Sequence, residues 1–422
     1  MAQYKEFIYK MKNLKRSNKK VFFITYDGLR DPLGQSQILP YIRLISKNVK
    51  YIHIISFEKK RQEKHEKVIL PKNVGWTKCN FSPGGIFSKL IDLISMITKS
   101  YFLCKKYKFN ILHARSYPSM HVVYLLKKIF NFKSIFDTRG FWVDDRIEGN
   151  IWPQKRFLYR LLYKYYKFLE KKFIIETDVL IVLTKKAKQE IVKVSDKIKK
   201  KTFLIPCCAD YNHFKPIKPS LKKKIKKDLN IQSKSIVISY LGSIGSVYLF
   251  DQMIIFFDEI IKQNKKKKFI FLIITKYDSK SLLKKIVNLG YKSLVQNIRI
   301  VSASRAQVPK FLGISDLMLT FRMSSYSQIA ASPTKITEAF SMGIPIISNK
   351  GIGDVDEIIK KFNAGLTFNI NSQKNFKETA SKISHILKKG GKRLRNQTKK
   401  NFSLIYAEKQ YRGIYNSALL KL

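Results

Sequence analysis

The sequence predicts an α/β protein with two doubly wound domains, each built on a parallel sheet, that face each other across a cleft. Short apolar runs typical of strands alternate with helical stretches, which is the pattern of parallel sheets joined by crossover helices. The pattern occurs twice, once on each side of a proline-containing linker. At about 100 to 200 residues per domain, a chain of 422 residues has room for two or three domains.

The strand candidates divide evenly between the two halves of the chain. In the first half they span residues 21–26, 51–57, 110–113, 134–137 and 178–183. In the second half they span residues 236–241, 269–275, 298–301, 316–321 and 344–348. Pro206, Pro216 and Pro219, followed by many lysines, mark the linker. We therefore predict a first domain over residues 1–205, a second over 206–385 and a C-terminal helical segment over 386–422.

The chain is strongly basic. It has 83 Lys and Arg against 29 Asp and Glu, a formal net charge of +54. Apolar residues make up 45% of the sequence and aromatic residues 13%, which is enough for an ordinary core and excludes a disordered basic tail protein. The charge predicts attraction to polyanions such as nucleic acid, an anionic membrane or phosphorylated substrates. Solvated lysine faces that reflect composition alone are the alternative interpretation.

The sequence predicts no disulfide framework, metal site or membrane-spanning segment. The four cysteines show no CxxC motif and no Cys/His ligand spacing, and Cys207 and Cys208 are expected to be buried thiols. Residues 1–20 lack the apolar core of a signal peptide, and nowhere do about 18 uncharged apolar residues follow one another. We expect a cytoplasmic protein without metal or cofactor. A nucleic-acid partner is not expected, because the chain has no recognised nucleic-acid-binding module.

Two segments have the pattern of basic amphipathic helices. Over residues 86–103 a narrow polar stripe, which includes Asp92 and Lys99, is flanked by a wide apolar face. Over residues 154–175 basic residues such as Arg160 recur at helical spacing, with leucines on the other side. Such helices can lie on anionic lipid. The commoner alternative is that their apolar sides pack on the sheet.

In the first half, candidate functional residues follow two strands. The first strand leads into a turn-rich loop in which Gly34 allows close approach of the backbone, and the helix start that follows favours an anion such as a diphosphate. The strand over residues 134–137 ends in a dense set of charged and aromatic residues, among them Asp137, Arg139 and Asp144. Because carboxylates and guanidinium groups are rarely placed at a strand end for packing, we interpret this set as functional.

In the second half, two segments suit a nucleotide diphosphate. The first strand there runs into a turn of small residues, Gly242-Ser243-Ile244-Gly245, which suits phosphate oxygens but is not a GxGxxG fingerprint. Further on, Ser332-Pro333-Thr334 can begin a helix with Ser or Thr as its cap, which leaves N–H groups and Lys335 directed at a diphosphate. Glu338 lies about one turn later and can accept two hydrogen bonds from a ribose diol.

Along nearly its whole length the chain resembles GT-B glycosyltransferases of the group 1, or family 4, type. The matching segments occur in order: YDG..DPLGQSQ..PY, HARS, FDTRGFW.D, LT at 183–184, IPCCAD...F, YLGS.G and SSY...SPTK..E..SMGIP. The resemblance implies two Rossmann-like domains, with the nucleotide-sugar donor on the second. It also implies sugar transfer with retention at the anomeric carbon and without a metal ion. The final helix is expected to return to the first domain, with Tyr406, Tyr411 and Tyr415 as its packing side.

The resemblance also assigns roles on the donor side. It implies that Lys335 neutralises the leaving diphosphate, that Ser332 and Thr334 contact it, and that Glu338 holds the ribose. The remaining candidates on this side are Gly242, Ser243, Gly245, Arg322 and Pro333.

On the first-domain side, the resemblance implies that Gly34 and Gln35 approach the diphosphate when the cleft closes. Asp137 falls where many relatives carry a histidine near the sugar. Further candidates for contact with the donor sugar or the acceptor are Arg115, Arg139 and Asp144. The candidate catalytic residues of the whole chain are Asp137, Arg139, Lys335 and Glu338.

The chain departs from the family pattern in two places. Relatives commonly carry two glutamates eight positions apart, but Ala330 stands eight residues before Glu338. The Arg and Lys that usually follow the turn after Gly242 are not evident here. This leaves Lys335 and Arg322 to balance the charge of the diphosphate, which needs such donors in metal-free departure.

The predicted function is transfer of a sugar from a UDP- or GDP-sugar to a glycan or lipid-linked acceptor, in cell-surface polysaccharide or lipopolysaccharide synthesis. The enzyme is expected in the cytoplasm, with peripheral attachment to an anionic membrane surface as a further expectation. Two alternatives stay open. One is a GT-B relative that processes nucleotide sugars without transfer, such as an epimerase, and the other is a basic protein that binds polyanions.

Overall fold

The computed structural model of the protein describes residues 17–59, 68–245 and 247–421. These residues form two parallel sheets of seven and six strands. Apolar core clusters lie on both faces of each sheet and are completed by helices. The predicted α/β class with two doubly wound sheets is therefore confirmed.

The first sheet is built from the N-terminal half. Its strands are β1 (Ser17–Thr25), β2 (Val49–Glu58), β3 (Val74–Asn80), β4 (Ile111–Arg115), β5 (Lys133–Asp137), β6 (Val179–Val182) and β7 (Thr202–Leu204). Their order in the sheet is β3-β2-β1-β4-β5-β6-β7. The accompanying helices are α1 (Pro32–Gln37), α2 (Leu39–Ser46), α3 (Ile86–Tyr107), α4 (Ser116–Leu126), α5 (Trp142–Glu148), α6 (Phe157–Glu176) and α7 (Lys185–Val192). Successive residues of β1 serve opposite faces, since Phe22 and Phe23 belong to different core clusters.

The second sheet is built from the C-terminal half. Its strands are β8 (Ile236–Leu241), β9 (Phe269–Ile274), β10 (Ile298–Val301), β11 (Leu317–Thr320), β12 (Ile346–Asn349) and β13 (Gly365–Phe368). Their order is β10-β9-β8-β11-β12-β13. The accompanying helices are α8 (Pro219–Asp228), α9 (Phe250–Gln263), α10 (Ser279–Asn288), α11 (Val308–Leu312), α12 (Thr334–Met342), α13 (Val355–Phe362), α14 (Gln373–Ser381) and α15 (Ile383–Leu387). Two more helices, α16 (Lys392–Phe402) and α17 (Leu404–Tyr415), follow them.

Three strands, β3, β7 and β13, were not predicted from the sequence. All three lie at sheet edges, and β7 and β13 have only three and four residues. β3 contains Gly75 and Lys78 and is mostly only partly buried. An edge strand is covered less than a central one, so its sequence lacks the continuous apolar run that marks the central strands.

The last two helices connect the sheets. α16 packs against α12, and α17 packs against α2 of the first half. Tyr411 and Tyr415 of α17 are buried in a core cluster of the first sheet, whereas Tyr406 is partly exposed at its border. The Tyr415 hydroxyl lies 2.8 Å from Nδ1 of His113, a buried residue of β4. The chain therefore returns to the first sheet, as the resemblance implied.

The amphipathic helices α3 and α6 each bury a carboxylate beside apolar residues such as Met96 and Phe173, and they also expose a row of apolar side chains. On α3, Asp92 is 1% exposed and Phe87 is 78% exposed. On α6, Glu170 is 8% exposed and Phe168 is 59% exposed. The interpretation that the apolar sides pack on the sheet is therefore correct only in part. Ile97, Tyr101 and Leu169 belong to or pack against the core cluster, whereas Leu90, Ile94 and Leu161 are exposed. Among the described residues, no helix combines the length and the apolarity needed to cross a bilayer.

Three buried histidines make stability depend on pH. Burial lowers the pKa of His113 to about 3, with Arg115 and Arg139 adding to the effect. Burial likewise lowers the pKa of His53 and of His121 to about 4. These rings stay neutral in the fold but take up a proton in the unfolded chain below its ordinary pKa of about 6.5. Each therefore contributes stability that is fully present above that pH and is lost as the pH falls towards the folded pKa, by about 1.4 kcal/mol per pH unit.

We expect His113→Gln to lose stability less steeply than the parent protein as the pH falls below the ordinary histidine pKa. Glutamine does not titrate, and it can still form a hydrogen bond with Tyr415. The measurement is the free energy of unfolding by denaturant, taken in steps from neutral to mildly acidic pH. Parallel curves for the parent and the variant would contradict this prediction.

Candidate active site

The loops at the carboxyl ends of β4 and β5 meet the segment that follows β11. Gly140, after β5, lies so close to this segment that a Cβ atom there would be 3.8 Å from the Ala330 carbonyl oxygen. In the linker, the N–H of Cys207 donates to Ser332 Oγ at 3.1 Å. Doubly wound sheets bind ligands outside the carboxyl ends of their strands. The cleft between the two sheets is therefore the candidate active site.

The first-domain side of the cleft carries a chain of buried charges. Arg115, at the end of β4, lies 3.5 Å from Asp27 and 3.7 Å from Asp137, which ends β5. Arg139 lies 3.7 Å from Asp137 and donates through Nη2 to Gln37 Oε1 at 2.9 Å. Arg115 and Asp137 stand opposite each other on neighbouring strands. Three of the sequence-predicted residues, Arg115, Asp137 and Arg139, thus meet in one cluster.

The buried charges shift one another's pKa. Burial raises the pKa of Asp137 above its ordinary value, while Arg139 and Arg115 act in the opposite direction. Burial lowers the pKa of Arg115, and the neighbouring Arg139 lowers it further. Burial also acts to lower the pKa of Arg139, but Asp137 together with Cys207, Tyr41 and Tyr411 outweighs it, so that pKa lies above its ordinary value. Within the described residues Oδ1 of Asp137, a buried atom 3.7 Å from Arg139 Nη1, has no hydrogen-bond partner.

Two residues at this edge have a left-handed backbone. The φ angle is 69° at Ser116, directly after β4, and 58° at Arg139, directly after the short turn that ends β5. Residues other than glycine rarely adopt such angles, and strain of this kind concentrates at functional sites. Gly140 follows with a φ of 120°. The turn brings the Arg139 guanidinium within 3.2 Å of Cys207 Sγ in the linker.

Gly34 lies where the loop after β1 folds back on itself. A Cβ atom at Gly34 would clash with the carbonyl oxygen of Gly28, so only glycine fits. Gln35 donates through Nε2 to the Leu29 carbonyl at 3.0 Å, and the buried Glu58 accepts the Leu29 N–H at 2.7 Å. The loop is thus a firmly held wall of the cleft. Contact of Gly34 and Gln35 with a diphosphate stays a prediction.

The structure places Asp144 against α6. Tyr163 donates to Asp144 Oδ1 at 3.2 Å, and Lys167 donates to its Oδ2 at 3.1 Å. Both partners are on α6, and the partly buried Lys167 also pairs with Glu170. The expected contact of Asp144 with the donor sugar or the acceptor is therefore not supported by its hydrogen bonds, because the lysine draws the carboxylate towards α6.

Two neighbouring carboxylates, which the sequence analysis missed, bridge the cleft instead. Glu148 accepts hydrogen bonds from the Ser327 N–H at 3.0 Å and from the Ser325 hydroxyl at 2.6 Å. Asp145 accepts one from Gln328 Nε2 at 3.3 Å. These contacts hold the segment between β11 and α12 against α5, and they close this side of the cleft.

On the second-domain side, the turn after β8 presents small residues. Gly245 has a φ of 95°, which favours glycine, and a Cβ atom there would meet nothing within 4 Å. Ser243 is exposed, and its carbonyl accepts a hydrogen bond from the Tyr240 hydroxyl at 2.5 Å. Gly242 lies over the same tyrosine. The turn therefore leaves room for close approach of a phosphate group, as predicted for this kind of turn.

Helix α12 begins at Thr334 without the predicted Ser or Thr cap. Pro333 occupies the cap position, and within the described part of the chain no side chain caps the first N–H groups. Ser332 is engaged elsewhere, since its Oγ accepts the hydrogen bond from Cys207. The Ile336 N–H donates to the Pro333 carbonyl at 3.1 Å, which leaves the N–H groups of Thr334 and Lys335 for an anion, and the helix dipole favours an anion at this end.

Glu338, about one turn into α12, is held by two cations. It is fully buried, and its oxygens lie 3.1 Å from Lys335 Nζ and 3.0 Å from Arg305 Nη1. Arg305 comes from the loop after β10, and its guanidinium lies 5.3 Å from the centre of the Phe214 ring. This corner of the second domain combines positive charge, free N–H groups and a carboxylate. The same combination is needed to bind a diphosphate and the diol of a ribose.

Arg322 lies beside the same segment. Its Nε donates to Gln328 Oε1 at 2.9 Å, and its guanidinium lies 4.8 Å from the centre of the Tyr248 ring. Tyr248 and Arg322 also form an isolated antiparallel bridge. Because Gln328 also contacts Asp145, this arginine is linked to both sides of the cleft. Its contact with a diphosphate stays a prediction.

The sequence analysis missed four residues of this site, namely Gln37, Asp145, Glu148 and Arg305. A signal for Arg305 existed, because it follows the strand over residues 298–301 as Arg139 follows β5, and charged residues at strand ends are rarely there for packing. Asp145 belongs to the charged set after β5 that we interpreted as functional, but it was not singled out, and Glu148 lies beyond that set. Within the described ranges no three His, Cys, Asp or Glu side chains are grouped so that they could hold a metal ion.

Replacing Arg305 by alanine is expected to weaken nucleotide binding about tenfold. The change removes one of the two charged hydrogen bonds that hold Glu338, so the carboxylate is less well placed for a ribose. Arg305→Lys should have a smaller effect, because lysine keeps the charge but loses the guanidinium geometry. The measurement is the Kd of the nucleotide by titration calorimetry, and an unchanged Kd in Arg305→Ala would refute the assignment.

Known proteins share both the second domain and the overall architecture. Residues 222–402 match the family described as glycosyl transferases group 1. Among solved structures, sucrose-phosphate synthase from Thermosynechococcus elongatus is similar at a TM-score of 0.71 and 13% identity, over 94% of this chain and 98% of that one. A glycosyltransferase from Rickettsia africae is similar at a TM-score of 0.69 and 18% identity, over 96% and 99% of the two chains. Anabaena HepE in complex with UDP-glucose is similar at 0.69 and 12% identity, over 94% and 99%. No curated protein sequence matches the chain.

Residues 222–402 thus form a domain of the group 1 glycosyltransferase type, and the chain as a whole has the GT-B fold. The matched residues include every strand of the second sheet and α12, so the second domain is of the group 1 type. The resemblance seen in the sequence is thereby confirmed. The solved structures, at 12% to 18% identity, show that the GT-B fold extends over nearly the whole chain.

Proposed function

We propose that the protein transfers a sugar from a UDP- or GDP-sugar to a glycan or lipid-linked acceptor in the cleft. The observation that carries the proposal is the start of α12, where uncapped N–H groups lie beside Lys335 and the carboxylate of Glu338. The diphosphate of a nucleotide sugar needs cations and N–H donors, and its ribose needs an acceptor. The shared fold with HepE, whose structure holds UDP-glucose, supports a nucleotide sugar as the donor.

In this proposal the second domain stabilises the leaving group. As the bond between the anomeric carbon and the diphosphate oxygen breaks, negative charge develops on that oxygen. Lys335, Arg322 and the first N–H groups of α12 meet this charge, with Ser332 and Thr334 at its border. Donors that are in place before the charge develops lower the barrier most, because they need no reorganisation during the reaction. We propose that this step uses no metal ion.

The first domain holds the sugar and the acceptor in the same proposal. Asp137 lies beside the sugar, while Arg115 and Arg139 fix the position of its carboxylate. The acceptor oxygen forms a bond to the anomeric carbon as the bond to the diphosphate breaks, and the acceptor proton passes to the departing phosphate oxygen. Attack from the side of the leaving group gives retention of configuration.

We further propose that the reaction takes place in the cytoplasm, at the inner surface of a cell membrane, in cell-surface polysaccharide or lipopolysaccharide synthesis. The net charge of +54 supports this location, because polybasic proteins are attracted to anionic leaflets. A lipid-linked acceptor would be presented at that surface.

The test is thermal stabilisation by UDP, GDP, ADP, CMP and their sugars. Ligands that bind the folded state raise Tm. The parent protein is compared with Lys335→Ala, Glu338→Ala and, as a matched control, Lys360→Ala, which changes an exposed lysine on α13. We expect a shift that is selective for one base, lost in the first two variants and kept in the control. Release of the nucleoside diphosphate when an acceptor extract is added then reports transfer.

Other outcomes would decide against the proposal. A folded parent protein that shows no shift with any nucleotide overturns it. Conversion of the donor sugar without any transfer product would indicate an epimerase-like activity. Tight, salt-sensitive binding of nucleic acid without any nucleotide shift would indicate a polyanion-binding protein.

A further inference from the structure

The outward faces of α3 and α6 carry exposed apolar side chains, which we call the α3–α6 surface. Its members are Phe87, Leu90, Ile91, Ile94 and Phe102 on α3, and Phe157, Leu158, Leu161, Tyr165, Phe168 and Ile175 on α6. Each of them is at least 45% exposed. In the described part of the chain, all four exposed phenylalanines lie on these two helices. Among the described residues, 11 of the 23 exposed large hydrophobic side chains therefore lie on these two helices.

The two helices lie on the same side of the first sheet. Both pack against α4, which is itself packed on β1, β4 and β5, and all three contribute to one core cluster. α3 has 22 residues and α6 has 20, so at 1.5 Å per residue the surface is about 30 Å long. Soluble monomers rarely expose apolar patches of more than a few hundred Å² without a binding role. A surface of this length therefore indicates a partner.

Polar side chains on the inward faces fix this orientation. Asp92 of α3 accepts hydrogen bonds from the Tyr26 hydroxyl and from the Ser82 N–H. Glu170 of α6 accepts a hydrogen bond from the Tyr117 hydroxyl at 2.7 Å. Turning either helix to bury its outward apolar row would break these bonds and expose the residues that now fill the core. The outward apolar rows are thus a property of the fold.

Positive charge accompanies the apolar side chains. Exposed basic residues on or next to the two helices are Lys105, Lys106, Arg156, Arg160, Lys164, Lys171 and Lys172. Both helices are fully described, and their carboxylates are Asp92 and Glu170, which face inward, and Glu176 at the end of α6. Long basic side chains can reach lipid phosphates while apolar neighbours enter the boundary between headgroups and acyl chains.

We propose that the α3–α6 surface docks on an anionic lipid bilayer. A partner protein would need carboxylates opposite the basic residues of this surface. A second copy of the chain offers few of them, because the chain has 29 acidic residues against 83 basic ones, so the bilayer is favoured. An anionic leaflet offers both the negative charge and the apolar interior that the two kinds of side chain require. The docking itself goes beyond the proposed reaction and does not depend on it.

One end of the docking surface lies near the cleft. A crossover helix runs opposite to its strands, so the first turns of α3 and α6 lie near the carboxyl edge of the sheet. In agreement, Asp92 near the start of α3 contacts Tyr26 just past β1, and α5 at the cleft packs against α6. Phe87 and Phe157 therefore mark the end of the surface that is nearest the cleft. A lipid-linked acceptor would enter there, and this last step rests on the proposed function.

The experiment is cosedimentation of the full chain with vesicles of phosphatidylcholine, with and without phosphatidylglycerol, at low and high salt. An apolar variant combines Phe87→Ser, Ile91→Ser, Leu161→Ser and Phe168→Ser, and its control is Ile405→Ser, an exposed apolar residue of α17. A charge variant combines Arg160→Gln with Lys164→Gln, and its control combines Lys265→Gln with Lys266→Gln in an exposed loop. We expect the apolar variant to lose binding at least about tenfold, the charge variant to lose the preference for anionic lipid, and both controls to bind as the parent does.

Three readouts make the result decisive. Absence of parent binding to anionic vesicles, or equal binding by the parent and the apolar variant, overturns the proposal. A parent dimer that the apolar variant abolishes, without vesicle binding, assigns the surface to a second copy and also overturns it. The donor-induced thermal shift is measured on the same variants and should be unchanged, which shows that they are folded. If docking fails while the donor-induced shift is intact, the proposed reaction stands and the docking proposal falls. If the protein binds vesicles without any donor-induced shift, the docking proposal stands and the proposed reaction falls.

Discussion

Replacing Lys335 by alanine is expected to lower kcat/KM for the donor by about 100- to 1000-fold. Lys335 is the cation on α12 that lies closest to the uncapped N–H groups, and it also holds Glu338 at 3.1 Å. The loss should fall mainly on kcat, because the charge on the leaving diphosphate is larger in the transition state than in the bound donor. The measurement is the initial rate of nucleoside diphosphate release over a range of donor concentrations.

Two variants accompany this measurement. Lys335→Arg keeps the positive charge and should retain more activity than alanine, although its fork geometry differs. Lys360→Ala removes an exposed lysine on α13 and should leave the rate unchanged. The Lys335 side chain is partly exposed, so its loss should not unfold the protein. A rate for Lys335→Ala within about threefold of the parent would show that this lysine does not stabilise the leaving group.

Replacing Asp137 by asparagine is expected to destabilise the protein by about 3 to 5 kcal/mol. The change removes the carboxylate between Arg115 and Arg139 and leaves two buried guanidinium groups with less compensation. Asp27 still pairs with Arg115, so Arg139 should be the more affected of the two. The measurement is the free energy of unfolding by denaturant, and Tm should fall by on the order of 10 °C.

A double-mutant cycle separates the ion pair from general disruption of the site. Asp137→Asn and Arg139→Gln should be non-additive by about 1 kcal/mol or more, since removing both partners leaves no unpaired charge between them. As a control, Glu357→Gln breaks an exposed pair with Lys185 and should cost less than about 1 kcal/mol. Strict additivity of the first pair would mean that the two side chains do not stabilise each other.

The central strands could be predicted from the sequence because parallel strands buried on both faces appear as continuous apolar runs. The predicted range 236–241 coincides with β8, and the predicted range 269–275 extends one residue past β9. The same rule could not find β3, β7 or β13, which lie at sheet edges and are short or partly polar. Strands that are short or only partly buried lack the continuous apolar run on which the prediction depends.

The corner around Glu338, which we propose binds the donor, was predictable in part for a similar reason. Lys335 and Glu338 are three residues apart on one helix, so local spacing alone brings them together. Arg305, which completes the corner, lies 33 residues before Glu338, and no local rule connects the two. Asp144 and Asp145 are adjacent in sequence, yet one contacts α6 and the other contacts Gln328. Only contacts with residues from distant segments decide which of the two aspartates faces α6 and which faces Gln328.

By itself, the sequence determined the class of fold, the two-sheet plan and the pairing of Lys335 with Glu338 on α12, because periodicity and short spacing act within single elements. Only the tertiary structure decided that Arg139 meets Gln37 and Cys207, a thiol that has no charged neighbour in the sequence. It also decided which way α3 and α6 face. An amphipathic pattern shows that a helix has two faces but not which one is buried. Here hydrogen bonds from distant residues make it favourable to bury Asp92 and Glu170, since a buried carboxylate is costly only when it lacks partners.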